Sequence, residues 1–243
     1  MGKKFSKNYK VTYYDCDSLS RMNIGNLVNV MLYYSGIQST QLGRADAYFH
    51  ELGMTWIVTD YEIKVNRLPR AFEEITIVTE AKSYNKFFTY RDFEVFDEQG
   101  NLLVTLHSTF SLMKIEERKL ASLKAEYLEP YEADKIKTIR RGPQLPNFDE
   151  PFAKDFEVRY SDLDTNNHVN NSKYLNWVLD TLSLEFLSTH EMAHMHVRFV
   201  KEIAYGHTVH SLAEEQENQT IHQIQVDGVV HFESLITWRS YEV

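Results

Sequence analysis

Acid, base and amide side chains are concentrated in one short segment, residues 162–171. Two aspartates, one histidine and four asparagines fall within these ten positions. A carboxylate near an imidazole can hold a proton for transfer, and a side-chain amide can donate a hydrogen bond to a developing oxyanion. The segment therefore offers groups for proton transfer and for stabilising a negatively charged oxygen, although the same residue types also build turns that merely cap helices.

The segment lies just before a predicted amphipathic helix. Asn170, Asn171 and Ser172 are candidate N-caps, and the backbone N–H groups of a helix N-terminus attract negative charge. Apolar residues then recur at helical spacing, and they predict a buried stripe made of Leu175, Val178, Leu179, Leu182 and Phe186.

Length, charge and cysteine content restrict the class of protein. A chain of 243 residues can bury a substantial core, and it has no apolar run near the roughly 20 residues that cross a bilayer. A net charge of −9 argues against a general binder of nucleic acid or anionic membranes. Cys16 is the single cysteine, so no internal disulfide can form. We expect a cytoplasmic protein with no nucleic-acid partner and no membrane insertion.

The two halves of the chain repeat each other. Residues 13–17 align with residues 160–164 at an offset of 147, and each segment precedes an amphipathic helix, strand-like segments and a hairpin. Asp227-Gly228 is the sharpest hairpin turn signal. In the first half, the stripe consists of Leu27, Val30, Met31, Tyr34 and Ile37. Each half therefore predicts a long helix wrapped by a curved antiparallel sheet.

A linker separates the halves. Four of the five prolines fall between residues 130 and 151. We predict an N-terminal domain over residues 1–128, a linker over 129–153 and a C-terminal domain over 154–243.

The repeat also provides an internal comparison of the two loops. Three positions of the second half carry an amide, a base or an acid where the first half carries an apolar or permanently charged residue: Asn166 against Leu19, His168 against Arg21 and Glu202 against Leu68. A purely structural cap would be needed equally in both halves. The asymmetry predicts one active site, contributed mainly by the second half.

Residues 162–171, the linker, the order of elements and Val200-Lys201-Glu202 together resemble the acyl-ACP thioesterases, in the form of a bacterial-type member. These are tandem hotdog proteins of plants and bacteria, and the resemblance covers nearly the whole chain. It implies an α+β double hotdog fold and an enzyme that hydrolyses fatty acyl-[acyl-carrier-protein] to free fatty acid, terminating fatty acid synthesis. It implies acyl carrier protein as partner, no metal and no cofactor.

The resemblance also implies the catalytic residues, which are Asp164, Asn166, His168 and Glu202. Ile203 occupies the position where a cysteine nucleophile has been invoked in the family, so that route cannot apply here. We favour water activated by Glu202, with His168 beside it. An Asp164–His168 base and an acyl-enzyme through a carboxylate remain open.

The first half would then hold the acyl chain, and a local basic surface would receive the acidic carrier protein. Arg140 and Arg141 are the candidates for carrier contact. Candidate tunnel residues are Val30, Met31, Tyr34, Ile37 and Trp56, with Trp56 and Tyr34 preferred, although ordinary core packing is the favoured interpretation for any single one of them. The sequence leaves open a monomer or a homodimer, the acyl chain length and the choice between carrier protein and CoA.

Three other interpretations compete. The same fold serves acyl-CoA thioesterases and hydratases, and a catalytically idle acyl-binding module would also need an apolar cavity. Residues 190–194 spell HExxH, the zinc-protease pattern, which requires both histidines on one helical face. Here residues 194–199 alternate like a strand, so we expect no zinc site.

Overall fold

The computed structural model describes residues 2–140 and 142–240, and within these ranges twelve strands form one continuous sheet. The first half contains β1 (Lys4–Lys10), α1 (Ile24–Gln41), α2 (Asp46–Glu51), β2 (Met54–Val65), β3 (Glu74–Tyr84), β4 (Phe88–Asp97), β5 (Leu102–Lys114), β6 (Lys119–Leu120), α3 (Ala125–Leu128) and β7 (Asp134–Lys135). The second half contains β8 (Phe152–Glu157), α4 (Asn171–Thr181), α5 (Leu184–Thr189), β9 (His190–Phe199), β10 (Thr208–Gln216), β11 (Gln219–Val226) and β12 (Val229–Ser240).

The sheet runs through both halves in the order β1-β3-β4-β5-β2-β9-β12-β11-β10-β8. The halves meet where β2 and β9 pair in antiparallel fashion, with Tyr61 opposite Val197 and Ile63 opposite Met195. All four of these side chains are fully buried. The seam between the halves is therefore part of one hydrophobic core, since apolar area removed from water stabilises the pairing.

One long helix packs on the inner face of each half of the sheet, as the repeat predicts. On α1, Leu27, Met31 and Tyr34 are buried, and Val30 and Ile37 pack against the same core while partly exposed. The predicted stripe is therefore the core-facing side of the helix. The stripe of α4 faces the second half of the core in the same way.

The two central helices approach each other closely at Gly25 near the start of α1. A Cβ atom at Gly25 would lie 2.6 Å from Asn176 Oδ1 and 2.9 Å from the backbone oxygen of Ser172, both on α4. Asn29 Nδ2 also donates a hydrogen bond to Ser172 Oγ at 3.1 Å. Glycine is thus needed for close backbone approach rather than for an unusual dihedral angle.

The second helix is shorter than its apolar spacing predicts. Leu182 adopts an extended conformation, and Ser183 begins α5 by accepting a hydrogen bond from Phe186 N at 3.0 Å. The new N-cap breaks the helix, because its side chain satisfies a backbone donor that a continuous helix would pair internally. Leu182 stays buried and Phe186 packs against the core, so the stripe is kept across two helices.

In the second half, the strand-like segment after the helix covers residues 195–203 of the sequence, but the strand β9 runs over His190–Phe199. It ends at Phe199 because the backbone N–H groups of Val200 and Lys201 both donate to the oxygen of His231, at 2.9 and 3.1 Å. This fork ends the ladder. The hairpin prediction at Asp227-Gly228 is confirmed, with φ angles of 51° and 73° at the two turn residues.

The linker region packs partly on the first half. Within it, β7 pairs in parallel with β3, and Arg140 stacks on Tyr90 with its guanidinium carbon 4.8 Å from the ring centroid. No helix in the described ranges is long and apolar enough to cross a membrane.

Shortening a core side chain of α1 tests how much the helix contributes. We expect Leu27→Ala to lower the free energy of unfolding by about 2–5 kcal/mol, because the change leaves a cavity in a fully buried position. Tyr33→Ala on the exposed side of α1 should change it by less than about 0.5 kcal/mol. Equal losses of stability in urea titrations of the two variants would contradict the assigned helix face.

Candidate functional site

The loop over residues 162–171 folds around the side chain of Asp164. Its Oδ1 accepts hydrogen bonds from the backbone N–H groups of Asn166 at 2.7 Å and His168 at 3.3 Å, while Asp164 N donates to His168 O at 2.8 Å. Asn167 lies at the tip with a φ of 61°, a left-handed conformation that asparagine tolerates. Asp164 therefore shapes the loop that presents Asn166 and His168.

A second acid, Asp162, stabilises the start of the loop. Its buried carboxylate pairs with Arg159 at 3.0 Å and Lys173 at 3.4 Å. Burial would raise the pKa of Asp162, but hydrogen bonds from Arg159 and Lys173, together with the charge of Arg159, hold that pKa below its usual value. Asn170 then caps α4 by accepting from Ser172 N at 3.0 Å, as the sequence predicts. Asp162 and Asn170 therefore hold the loop in place.

Glu202 reaches this loop from the segment that follows β9. The segment is fixed by the forked hydrogen bonds to His231 and by Ile203 N, which donates to the hydroxyl of the buried Tyr174 at 3.0 Å. Burial is the main cause that raises the pKa of Tyr174, so the hydroxyl stays protonated. Glu202 Oε2 lies 3.2 Å from His168 Nε2. An imidazole and a carboxylate from separate elements therefore meet in one place.

Arg118 is a member of this cluster that the sequence analysis missed. It lies between β5 and β6 in the first half, with a φ of 53°, and its guanidinium binds the same Glu202 Oε2. About half of its side chain is exposed. No sequence signal identifies Arg118, because the contact joins residues far apart in the chain and from opposite halves.

The cluster opens into an outer cavity of about 460 Å³. Its wall contains all four predicted catalytic positions, and the first half contributes Trp56 and Arg118. Asn166 exposes its side-chain amide here, and no hydrogen bond to that amide is found among the residues described. The outer cavity thus combines a carboxylate, an imidazole and a free amide.

An inner cavity of about 330 Å³ adjoins the outer one. The two share His50, Thr55, Trp56 and Asn166 in their walls. The inner cavity lies between α1 and the sheet of the first half, and it is lined by both apolar and hydroxyl-bearing side chains. A ligand that touches Asn166 can therefore extend from one cavity into the other.

Comparison with known proteins gives the family. The model of the acyl-ACP thioesterase N-terminal domain matches residues 2–131, and that of the C-terminal domain matches residues 146–240. The chain belongs to the acyl-ACP thioesterase family. A chloroplastic acyl-[acyl-carrier-protein] hydrolase of Cuphea viscosissima is 26% identical over 227 residues, which cover 87% of this chain and 55% of that protein. The chain spans about half the length of the curated relatives it matches.

Solved structures of the acyl-ACP thioesterase family share the architecture. A Lactobacillus plantarum protein provisionally assigned as an oleoyl thioesterase is 33% identical, with a TM-score of 0.94 and coverage of 100% of this chain and 98% of that one. The 12:0-ACP thioesterase of Umbellularia californica, 19% identical, has a TM-score of 0.86 over 98% of each chain, which shows the shared fold. The predicted double hotdog fold is confirmed.

The first half contains a structural copy of the loop over residues 162–171 with different side chains. Ser20, with a φ of 59°, matches Asn167, and Asn23 caps α1 as Asn170 caps α4. Arg21 occupies the position of His168, but its guanidinium pairs with Asp17 at 2.8 Å and donates to the backbone oxygens of Leu187 and His190. In the first half, this loop therefore contacts the second half through the side chain of Arg21.

The predicted tunnel residues lie in different places. Trp56 lines both cavities, whereas Met31 and Tyr34 are in the core and Val30 and Ile37 pack against it. The α1 residues that reach the inner cavity lie on a neighbouring side of the helix, namely Leu32, Ser35, Gly36 and Ser39.

The remaining sequence predictions concern charged residues. Arg140 is exposed, and Arg141 lies outside the described residues. The HExxH residues 190–194 are in the strand β9 and not on a helix, and β9 includes residues 194–199, whose alternation predicts a strand. No group of three or more potential metal ligands is found in residues 2–140 and 142–240.

The Tyr174 hydroxyl offers a test of how the Glu202 segment is fixed. We expect Tyr174→Phe to lower the free energy of unfolding by about 1–3 kcal/mol, because the buried N–H of Ile203 loses its acceptor. Tyr160→Phe removes a hydroxyl from an exposed side chain and should have little effect. Indistinguishable urea midpoints for the two variants would show that the hydrogen bond does not hold the segment.

Proposed function

We propose that the chain hydrolyses fatty acyl thioesters of acyl carrier protein to free fatty acid and holo-carrier protein, terminating fatty acid synthesis in the cytoplasm. The observation that carries this proposal is the 3.2 Å approach of His168 Nε2 to Glu202 Oε2, beside Asn166 in the outer cavity. Family membership supports it, since relatives from Cuphea hookeriana and Gossypium hirsutum are named palmitoyl-acyl carrier protein thioesterases.

Glu202 is the proposed base. His168 and Arg118 both approach Oε2, whereas Oε1 accepts no hydrogen bond within the described part of the chain. The two donors would hold the carboxylate and leave Oε1 to take a proton from water. A base must lie within hydrogen-bond reach of the proton that it removes, and Oε1 meets this condition for a water in the outer cavity.

Asn166 is the proposed oxyanion donor. Its backbone N–H is bound by Asp164, so the backbone is fixed while the side-chain amide faces the cavity. A pre-positioned donor stabilises charge that develops on the thioester oxygen, because it needs no reorganisation during the reaction. Asp164 is then a positioning residue that acts through Asn166 and the backbone of His168.

The reaction balances with these groups alone. Water loses a proton to Glu202 Oε1, and its oxygen bonds to the thioester carbonyl carbon to give a tetrahedral oxyanion held by Asn166. The oxyanion collapses, the carbon–sulfur bond breaks, and the leaving thiolate takes the proton from Glu202 with His168 beside the path. The products are a carboxylic acid and the thiol of the carrier's prosthetic arm.

The acyl chain would extend past Trp56 into the inner cavity. Of the five tunnel residues predicted from the sequence, we retain only Trp56 as a substrate contact, and add Leu32 and Phe110 from the inner wall. Burial of methylene groups against these side chains would supply binding energy of about 0.8 kcal/mol per group.

Substitution of the proposed catalytic pair tests the reaction directly. We expect His168→Ala and Glu202→Gln each to reduce kcat for carrier-bound acyl substrates by roughly 10²–10⁴-fold, since general-base catalysis contributes about that much. The measurement is free-thiol release with product identification, using matched acyl-ACP and acyl-CoA series.

The matched controls are His210→Ala and Glu217→Gln, which alter exposed residues of the second half outside the cavities. Full activity in His168→Ala or Glu202→Gln, with an intact fold, would remove the mechanism. Faster release of free thiol from acyl-CoA than from acyl-ACP would indicate that acyl-CoA, and not acyl-ACP, is the substrate. Binding of acyl chains without any turnover would indicate an idle binding module.

Carrier docking is tested at the linker. We expect Arg140→Glu to raise KM for acyl-ACP several-fold and to leave KM for small acyl thioesters unchanged, because Arg140 is exposed and acyl carrier protein is acidic. Lys10→Glu, on the edge strand β1, serves as a charge-matched control. Equal changes in KM for acyl-ACP and for small acyl thioesters would show that Arg140 does not act in carrier docking. The same comparison with Arg141→Glu tests the second predicted contact.

A further inference from the structure

Arg91 is a buried cation on the first half of the sheet. It lies on β4 with 7% of its surface exposed, and Nη1 donates to Gln38 Oε1 at 2.7 Å and to Thr79 Oγ1 at 3.0 Å. Its guanidinium carbon lies 5.3 Å from the centroid of the Tyr131 ring. No ion pair with a carboxylate is found for Arg91 across residues 2–140 and 142–240.

The charge persists despite its surroundings. Burial lowers the pKa of Arg91 to about 10, so the guanidinium is still protonated at neutral pH. A guanidinium has five N–H donors, and only Nη1 has hydrogen-bond acceptors among the residues described. A buried charge is costly unless it is paired or hydrogen-bonded, so an apolar residue would fill this position more favourably if packing were its only role.

The guanidinium contributes to the wall of the inner cavity. Hydroxyl groups accompany it there, from Ser35, Ser39, Thr89 and Tyr131, and the Tyr131 hydroxyl donates to Ser39 Oγ at 2.8 Å. Apolar side chains complete the wall, namely Leu32, which packs against the main core, and Ala81 and Leu128, which belong to a smaller cluster around Phe49. The wall of the inner cavity is therefore polar at Arg91, whereas a purely hydrocarbon chain would bind best against an apolar wall.

The charge balance of the wall indicates which oxygen group fits. Asp46 is also part of the wall, but it is exposed, in the first turn of α2, so water screens its charge. Arg91 can donate hydrogen bonds, whereas Ser35, Ser39 and Thr89 already donate to backbone oxygens and keep lone pairs that can accept. A hydroxyl group on a ligand matches this set, because it can accept from Arg91 and donate to a neighbouring hydroxyl oxygen.

We propose that the inner cavity is a subsite for acyl chains that carry a hydroxyl group beyond the thioester, with the guanidinium of Arg91 donating a hydrogen bond to that oxygen. This inference rests on the proposed thioesterase function, which places the thioester at Asn166 and directs the chain past Trp56. It assigns the substrate class as hydroxylated acyl thioesters, with Arg91 as the residue that determines specificity.

The test compares a positional series of hydroxyacyl thioesters with the unsubstituted thioester of equal length. In the unaltered chain, one hydroxyl position should give a kcat/KM at least equal to that of the unsubstituted substrate, and about tenfold or more above other positions. Arg91→Met should lower the ratio of hydroxylated to unsubstituted kcat/KM by about tenfold or more, because a charged hydrogen bond is lost. Arg91→Lys should keep part of the ratio, and Lys10→Met should keep all of it.

The contrary results are distinct. An unchanged ratio in Arg91→Met, or no preferred hydroxyl position, would overturn the subsite while leaving thioester hydrolysis intact. Absence of hydrolysis from every substrate would overturn the proposed function instead. If no substrate is hydrolysed, or if Arg91→Met fails to fold, the subsite is tested by binding instead. The affinity of the unaltered chain for free hydroxy fatty acids is then measured by calorimetry. Tighter binding than that of the unsubstituted acid supports the subsite, and equal or weaker binding removes it.

Discussion

The antiparallel pairing of β2 with β9 is the interaction on which the rest of the structure depends. It joins two half-sheets through fully buried side chains, so that each half supplies part of the other's core. It also sets the position of the first half relative to the loop over residues 162–171. Trp56, on β2, reaches the outer cavity, and Arg118 reaches Glu202, because this seam fixes the relative position of the halves. The cavity wall is thus shared, although the proposed chemistry belongs to one half.

Duplication of the loop explains how the halves have diverged without loss of geometry. In both copies an aspartate, a residue with positive φ and an asparagine cap produce nearly the same backbone. One copy projects His168 into the cavity, and the other projects Arg21 into backbone oxygens of the opposite half. A permanently charged guanidinium suits a fixed contact, whereas an imidazole can exchange a proton near neutral pH. The same turn therefore supports two different tasks.

Much of this could be predicted from the sequence because local patterns determine it. Helical spacing indicated the core face of α1, the Asp227-Gly228 pair indicated a hairpin, and the repeat indicated two related halves. The grouping of Asn166, His168 and Glu202 in one cavity also agrees with the sequence analysis. The end of α4 was missed, because a serine side chain competed with helix continuation. Arg118 and Arg91 were missed because their contacts with Glu202 and Gln38 join residues far apart in the chain, which spacing along the chain does not encode.

Gly25 lies where the two central helices pack closely, next to the start of α4. Its missing side chain lets α1 lie against the first turn of α4, where the backbone of Ser172 would collide with a Cβ atom. That turn follows directly from the loop that holds His168, and Val169 N in this loop donates to Ile203 O at 2.8 Å, next to Glu202. The first half therefore contacts, through its central helix, the helix that starts where this loop ends. A residue with no functional group of its own admits this contact.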